Sequence, residues 1–171
     1  MLDSANHHPA TDEIIQSIHC ILPLLEKANV KLAIENHDRF TAGVLLSLIE
    51  SIDSPFVGVC LDTVNSFGAL EGPDVVIETL HPHVLNIHFK DFCIRRETHN
   101  MGFRIEGTPL GKGVLDISML IHRLKMKERG IHGILELWPT PEESLEATIL
   151  KEHLWLKESA SLLLTYQSTF K

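Results

Sequence analysis

Four side chains that can bind a metal ion recur at nearly regular intervals along this chain of 171 residues. Each stands at or near the end of a short apolar segment: Glu35 after VKLAI, Asp62 after VGVCL, His88 within NIHF and Glu136 within ILEL. Three carboxylates and one imidazole, with no thiolate, are a donor set for one hard or borderline divalent ion such as Mn²⁺, Mg²⁺, Co²⁺ or Zn²⁺.

Charge and burial explain why these four residues predict a cation. Three carboxylates held together without a cation would repel one another and lose hydration, which is costly. Each residue alone has an ordinary alternative: a glutamate at a strand end is often only solvated, and His88 alone could be a hydrogen-bonded core histidine. Because all four residues recur at the ends of successive strands, a shared metal site explains them better than four separate alternatives do.

Apolar periodicity predicts helices and strands in alternation. Thr11 or Asp12 is expected to cap the first helix, Thr41 the second and Asp116 the fourth, which Gly130 ends. A long glycine-containing loop is expected at 92–113. The predicted helices are 12–28, 41–52, 73–80, 116–129 and 141–165, and the predicted strands are 30–35, 57–61, 84–89 and 132–137.

This alternation predicts an α/β fold with a parallel sheet, either an open doubly wound sheet or part of a (β/α)8 barrel. The candidate ligands favour the barrel. From Glu35 to Asp62 is 27 residues and from Asp62 to His88 is 26, close to one strand–helix unit per step. In a barrel the carboxyl ends of the strands converge at one face, whereas an open sheet spreads them about 4.8 Å apart per strand.

The composition limits the function. The net charge of −8 argues against a nucleic-acid partner, whose phosphates require a basic face. No apolar run approaches the roughly 20 residues of a membrane span, so no membrane association is expected. The chain has three cysteines, and Cys20, Cys60 and Cys93 follow no CxxC pattern. A sparse odd set is typical of a reducing compartment, so a cytoplasmic location is expected.

Five segments resemble the xylose-isomerase-like barrel superfamily over about residues 10–160. They are LAIENH (32–37), GVCLDTVNSFG (58–68), LNIHFKDF (85–92), PLGKGVLD (109–116) and ILELW (134–138). That superfamily includes ketose 3-epimerases, sugar-phosphate isomerases and epimerases, inosose dehydratases and type IV apurinic endonucleases.

The resemblance implies a metal-dependent isomerase or epimerase acting on a sugar or sugar phosphate. Glu35, Asp62, His88 and Glu136 would hold one divalent ion, and Glu35 and Glu136 would also serve as acid and base. The reaction would move a proton through a cis-enediolate.

Five further residues are expected to meet substrate. Asn65 stands where several relatives carry histidine, and Arg104 resembles a family arginine that orients substrate. Trp138 is expected to pack against the C–H face of a sugar. His37 and Lys90 each have an alternative, a loop role for His37 and a strand-end ion pair for Lys90.

Four predicted strands are half of the eight in such a barrel. The sequence therefore predicts a single domain over residues 1–171, a truncated barrel with strands 5–8. A half-barrel exposes two sheet edges and an apolar face, so we expect a homo-oligomer or association with a missing N-terminal half. The alternatives are an inactive or partner-dependent fragment, a polyol dehydratase and an apurinic endonuclease. The endonuclease is disfavoured by the acidic charge and by Asn65.

Overall fold

A four-stranded parallel sheet is the central feature of the computed structural model, which describes residues 8–166. Numbered in chain order, its strands lie side by side in the order β1-β2-β3-β6. Their bounds are β1 (Leu32–Glu35), β2 (Val57–Asp62), β3 (Val84–Phe89) and β6 (His132–Leu135). The predicted α/β architecture is thus confirmed.

Six α-helices lie before, between and after these strands within residues 8–166, and the apolar core lies between the helices and the sheet. Val59 and Ile87 of the strands pack with Leu45, Leu80 and Leu120 of the helices, all almost fully buried. The bounds are α1 (Thr11–Ala28), α2 (Ala42–Ile52), α3 (Pro73–Leu80), α4 (Ile117–Leu124), α5 (Met126–Arg129) and α6 (Leu145–Thr165).

Two of the predicted helix caps are confirmed and one is wrong. Thr41 accepts a hydrogen bond from the backbone N–H of Val44, and Asp116 accepts one from Met119. Helix α1 begins one residue before the predicted start, with Ala10 as its N-cap and no side-chain cap bond. Thr11 and Asp12 lie inside the first turn, where their side chains cannot serve as the N-cap.

The expected loop at 92–113 is wrong over most of its length. The chain forms an antiparallel hairpin of β4 (Asp91–Arg96) and β5 (Phe103–Thr108). Asn100 makes the turn in the left-handed region with a φ of 62°, and the Arg96 guanidinium stacks on the Phe103 ring. The glycines around this segment suggested a loop, but the cross-strand pairs that stabilise a hairpin join residues separated in sequence.

Three other boundaries differ from the prediction. The helix expected over 116–129 breaks at Lys125, whose φ of 49° is left-handed, before Gly130 ends α5 as expected. The break allows Met126 to enter the core. The last helix begins at Leu145, where the Ser144 hydroxyl caps it, rather than at 141. The last strand ends at Leu135, so Glu136 stands one residue beyond it.

The sheet is a partial barrel. Within residues 8–166, β1 and β6 each pair with a single neighbour, and no closed barrel forms. All four strands run in one direction, so their carboxyl ends lie at the same edge. None of the described helices combines the length and the apolar composition needed to cross a lipid bilayer.

Candidate metal centre

Glu35, Asp62, His88 and Glu136 come together at the carboxyl edge of the sheet. One ligand-type atom from each lies within 4.8 Å of those of the other three. The imidazole is at the centre, because its Nδ1 lies 2.8 Å from Glu136 Oε2, 3.6 Å from Glu35 Oε1 and 4.0 Å from Asp62 Oδ2. The strand register explains this: Asp62 pairs with His88 in the ladder, and the Glu136 N–H bonds to the Phe89 carbonyl.

The Asp62 carboxylate is the most buried of the four groups and is held firmly. Its Oδ1 accepts hydrogen bonds from the backbone N–H groups of Val64 at 2.8 Å and Asn65 at 2.7 Å. Its Oδ2 points into the cluster, where it lies 3.0 Å from Lys90 Nζ but makes no hydrogen bond of good geometry. One oxygen thus anchors the carboxylate while the other stays available to a ligand.

Lys90 supplies the cluster with a positive charge. Its ammonium lies 3.0 Å from Asp62 Oδ2 and 2.9 Å from Glu136 Oε1, and donates to Asn65 Oδ1 at 3.2 Å. Burial by itself lowers the pKa of Lys90. The close contacts of its ammonium with Glu136 and Asp62, and the charges of those carboxylates, outweigh this effect, so the pKa of Lys90 is raised and the group stays protonated.

Cys60 lies on β2 near this cluster but is not a thiolate. Burial, and then the negative charges of Glu35, Asp62 and Glu136, raise the pKa of its thiol to about 12. A neutral thiol is a poor metal ligand, because metals bind the thiolate form. The donor set at this edge is therefore oxygen and nitrogen.

The arrangement fits a divalent cation on three grounds. Donor atoms about 2.1 Å from one ion lie at most about 4.2 Å apart, so the observed cluster needs to contract by only a few tenths of an ångström. The Asp62 Oδ2 and His88 Nδ1 atoms are buried and make no hydrogen bond of good geometry. The three carboxylates and Lys90 leave two negative charges when the imidazole is neutral, which a divalent ion would balance.

The cluster is open on one side. The side chains of Asp62 and His88 are 0% and 18% exposed, whereas those of Glu35 and Glu136 are 36% and 41% exposed. The two glutamates therefore form the accessible rim. A small molecule could approach the ion site between them.

The five expected substrate-binding residues are placed in different ways. Asn65 and Lys90 lie in the cluster, since Asn65 Nδ2 also donates to Glu35 Oε1 at 2.8 Å. Trp138 is half-buried against the hairpin base, and its indole N–H reaches the Asp91 carbonyl at 3.3 Å. His37 is exposed beside Asp38, at 2.7 Å. Arg104 pairs with Glu106 at 2.7 Å on the hairpin, not with a cluster residue.

Sequence reasoning overlooked three buried polar residues beside the centre: Asn36, Thr63 and the Asp91 carboxylate. Asn36 and Thr63 directly follow Glu35 and Asp62, and Asp91 begins the hairpin. Their only sequence signal is a polar residue within two positions of the end of an apolar strand, and an ordinary loop start has the same pattern.

The chain matches the family of xylose isomerase-like TIM barrels over residues 3–159. It belongs to that family. The family assignment agrees with the resemblance of the five motif segments and with the parallel sheet.

The chain is similar to one curated relative and to two solved structures. The chain is 37% identical over 165 residues to the 3-oxo-isoapionate decarboxylase of Pectobacterium atrosepticum, covering 96% of this chain and 60% of the relative. The chain therefore spans about three-fifths of the length of that curated relative.

Both solved structures share the fold. One is a xylose isomerase-like TIM barrel protein from Mycobacterium smegmatis in complex with magnesium, with a TM-score of 0.62, 14% identity, and coverage of 91% of this chain and 53% of that one. The other is the D-psicose 3-epimerase with D-tagatose from Clostridium cellulolyticum H10, with a TM-score of 0.63, 15% identity and coverage of 94% and 56%. Identities this low show a common fold only.

Proposed function

We propose that this chain carries the metal-binding half of a divalent-metal-dependent isomerase or epimerase that acts on a sugar or sugar phosphate. Glu35, Asp62, His88 and Glu136 would hold one ion. When bound, the ion would polarise a carbonyl and a neighbouring hydroxyl, and so acidify the C–H bond at the carbon between the rim glutamates.

The observation that carries the proposal is the unequal exposure of the four groups. Asp62 and His88 lie deep, where they would serve only to hold the ion. Glu35 and Glu136 stand at the open rim with free carboxylate surface. Because proton transfer requires a carboxylate within hydrogen-bond reach of the substrate, these two suit the base and the acid.

The remaining residues of the cluster would orient substrate. Lys90 is protonated and lies between Asp62 and Glu136, so its ammonium could donate to a substrate hydroxyl or phosphate oxygen. Asn65 bridges Glu35 and Lys90 and would tie the two sides of the site together. We propose that three further residues contact substrate. His37 stands two residues after Glu35, Trp138 would pack on the C–H face of a sugar, and Arg104 resembles a family arginine that orients substrate.

Solvent exchange tests the proton transfer. The chain loaded with Mn²⁺ and supplied with D-tagatose in D₂O is expected to incorporate deuterium at the carbon next to the carbonyl, as followed by proton NMR. Glu35→Gln and Glu136→Gln should each slow this incorporation by about 100-fold or more, since one positioned acid or base contributes about 10²–10⁴-fold. A wild-type chain that holds Mn²⁺ yet incorporates no deuterium would contradict the proton-transfer proposal.

Decarboxylation is a second candidate, favoured by the 37% identity to a 3-oxo-isoapionate decarboxylase. Loss of CO₂ from a 3-oxo acid leaves an enolate at the carbon next to the carbonyl, as loss of a proton from that carbon does, so the same ion site would serve both. The same assay with 3-oxo-isoapionate separates the two. If the chain releases CO₂ from 3-oxo-isoapionate but incorporates no deuterium into D-tagatose, the decarboxylase proposal replaces the isomerase proposal.

Association is proposed from the uncovered surfaces. Strands β1 and β6 each leave one edge unpaired within residues 8–166. A groove of about 560 Å³ between β6 and α6 is lined by apolar side chains that include Phe89, Leu135 and Leu156. We propose that a second copy or the N-terminal half of the barrel covers these surfaces.

Sedimentation velocity tests that association. At micromolar concentration the chain is expected to sediment as a dimer or larger species, because open strand edges and apolar faces promote pairing. Addition of a chain carrying the other barrel strands should convert it to a one-to-one complex. A compact monomer at high concentration, with no binding to the other half, would count against the proposal.

A further inference from the structure

The side chain of Asn36 makes hydrogen bonds to the backbone of Asp62, one of the four candidate metal ligands. Asn36 is 1% exposed and directly follows Glu35, the last residue of β1. Its Oδ1 accepts a hydrogen bond from the Asp62 N–H at 2.7 Å, and its Nδ2 donates to the Asp62 carbonyl at 2.9 Å. A second bond runs from Nδ2 to Ser66 Oγ at 2.9 Å.

This pair of bonds extends the sheet by one residue. The regular β1–β2 register ends where Glu35 pairs with Cys60. Beyond that point the side-chain amide of Asn36 offers one acceptor and one donor, as a peptide group would. It therefore holds both backbone groups of Asp62 after the main chain of β1 has left the ladder.

The next strand pair shows the same device with a different residue. Thr63 directly follows Asp62, and its hydroxyl accepts from the Lys90 N–H at 3.0 Å and donates to the Lys90 carbonyl at 2.6 Å. The β2–β3 register ends where Asp62 pairs with His88, so Lys90 also lies beyond the ladder. Strands β1 and β2 thus each hold the next strand through the residue that follows their candidate ligand.

Asp62 is therefore held both at its backbone and at one carboxylate oxygen. Asn36 holds its backbone on both sides, and the N–H groups of Val64 and Asn65 hold Oδ1. Only Oδ2 stays without a hydrogen bond of good geometry, and it lies 3.0 Å from Lys90 Nζ and 4.0 Å from His88 Nδ1. Because Asp62 is the one fully buried carboxylate of the cluster, its direction decides where an ion can sit.

We propose that Asn36 is a positioning residue of the metal centre, which acts by clamping the backbone of Asp62 so that Oδ2 faces the ion. This inference rests on the proposed metal centre. Asn36 itself does not bind the ion, because both ends of its amide are engaged with Asp62 and Ser66. Partners that orient metal ligands commonly affect metal affinity about 10–100-fold.

Titration calorimetry with Mn²⁺ on the full chain tests the clamp. Asn36→Ala is expected to weaken Mn²⁺ binding at least tenfold relative to wild type. The electron paramagnetic resonance spectrum of the bound Mn²⁺ should broaden, since a loosened Asp62 distorts the coordination. Asn36→Leu, which has nearly the same size but no hydrogen-bonding group, serves as a second variant if the alanine variant does not fold, with the same expected loss.

Two controls separate positioning from general loosening of the fold. Ser66→Ala removes the third partner of Asn36 but leaves both bonds to Asp62, so affinity should stay within twofold of wild type. Ile121→Val removes one buried methyl group from helix α4 and is also expected to leave affinity within twofold. The thermal unfolding midpoint of each metal-free variant is measured as well, so that variants with similar losses of stability can be compared.

Each outcome bears on a different claim. If wild type binds Mn²⁺ and both Asn36 variants bind it with the same affinity, the role proposed for Asn36 is wrong, whereas the metal centre is unaffected. An equal loss of affinity in Ile121→Val also overturns the role of Asn36, since the effect would then follow stability. A wild-type chain that binds no Mn²⁺ at millimolar supply overturns the metal centre and the clamp together.

Discussion

Glu136→Gln is expected to weaken divalent-metal binding by more than about 100-fold. Glu136 Oε2 lies 2.8 Å from His88 Nδ1, and Oε1 lies 2.9 Å from Lys90 Nζ. The substitution keeps the size of the side chain but removes one of the three negative charges that would balance the ion and Lys90. Loss of an outer partner alone costs about 10–100-fold in metal affinity, so loss of a direct ligand should cost more.

Elemental analysis of the dialysed protein and calorimetric titration with Mn²⁺ and Zn²⁺ measure this effect. Glu142→Gln is the matched control, because Glu142 is an exposed carboxylate that pairs with Lys151 at 2.6 Å and belongs to no cluster with His88. It should bind metal like wild type. If Glu136→Gln and wild type bind the metal with equal affinity, Glu136 is not a ligand. If wild type binds no ion at all, the proposal of a metal site is wrong.

Asp91→Ala is expected to lower the free energy of unfolding by about 3–5 kcal/mol. The Asp91 carboxylate is 2% exposed and accepts four backbone N–H bonds. Two come to Oδ1, from Phe92 at 2.8 Å and Leu115 at 3.1 Å, and two to Oδ2, from Gly111 at 2.8 Å and Gly113 at 2.9 Å. A buried donor left without a partner costs about 1–3 kcal/mol, and some of these donors will reach water.

Urea unfolding followed by circular dichroism gives the free energy. Asp91→Asn keeps the shape and loses part of the acceptor capacity, so it should fall between wild type and the alanine variant. Asp116→Ala, which removes only the cap of α4, should cost about 1 kcal/mol. An Asp91→Ala variant no less stable than Asp116→Ala would show that this carboxylate does not hold segment 109–115 in place.

The same carboxylate links stability to the site. Asp91 stands next to Lys90 and opens the hairpin, and its carbonyl accepts the Trp138 indole N–H. Gly113 is required there, because a Cβ at that position would lie 2.1 Å from Asp91 Oδ1. Displacing this loop should therefore disturb the base of the hairpin as well as the fold.

The sequence by itself determined the alternation of the parallel strands with helices and the convergence of four metal-capable residues. Apolar periodicity marked each strand, and the steps of 27 and 26 residues from Glu35 to Asp62 to His88 matched one strand–helix unit. Parallel strands place their carboxyl ends at one edge, so residues at those ends must be neighbours. Local pattern and a general rule of topology were sufficient for this.

Only the tertiary structure decided how the cluster is held and how open it is. The Asn36 amide meets Asp62 across 26 residues, and the Thr63 hydroxyl meets Lys90 across 27. The hairpin at Asp91–Thr108 likewise depends on pairs such as Ile94 with Ile105. Whether a polar side chain after a strand faces solvent or clamps its neighbour depends on the register between distant segments, and no local pattern in the chain records that register.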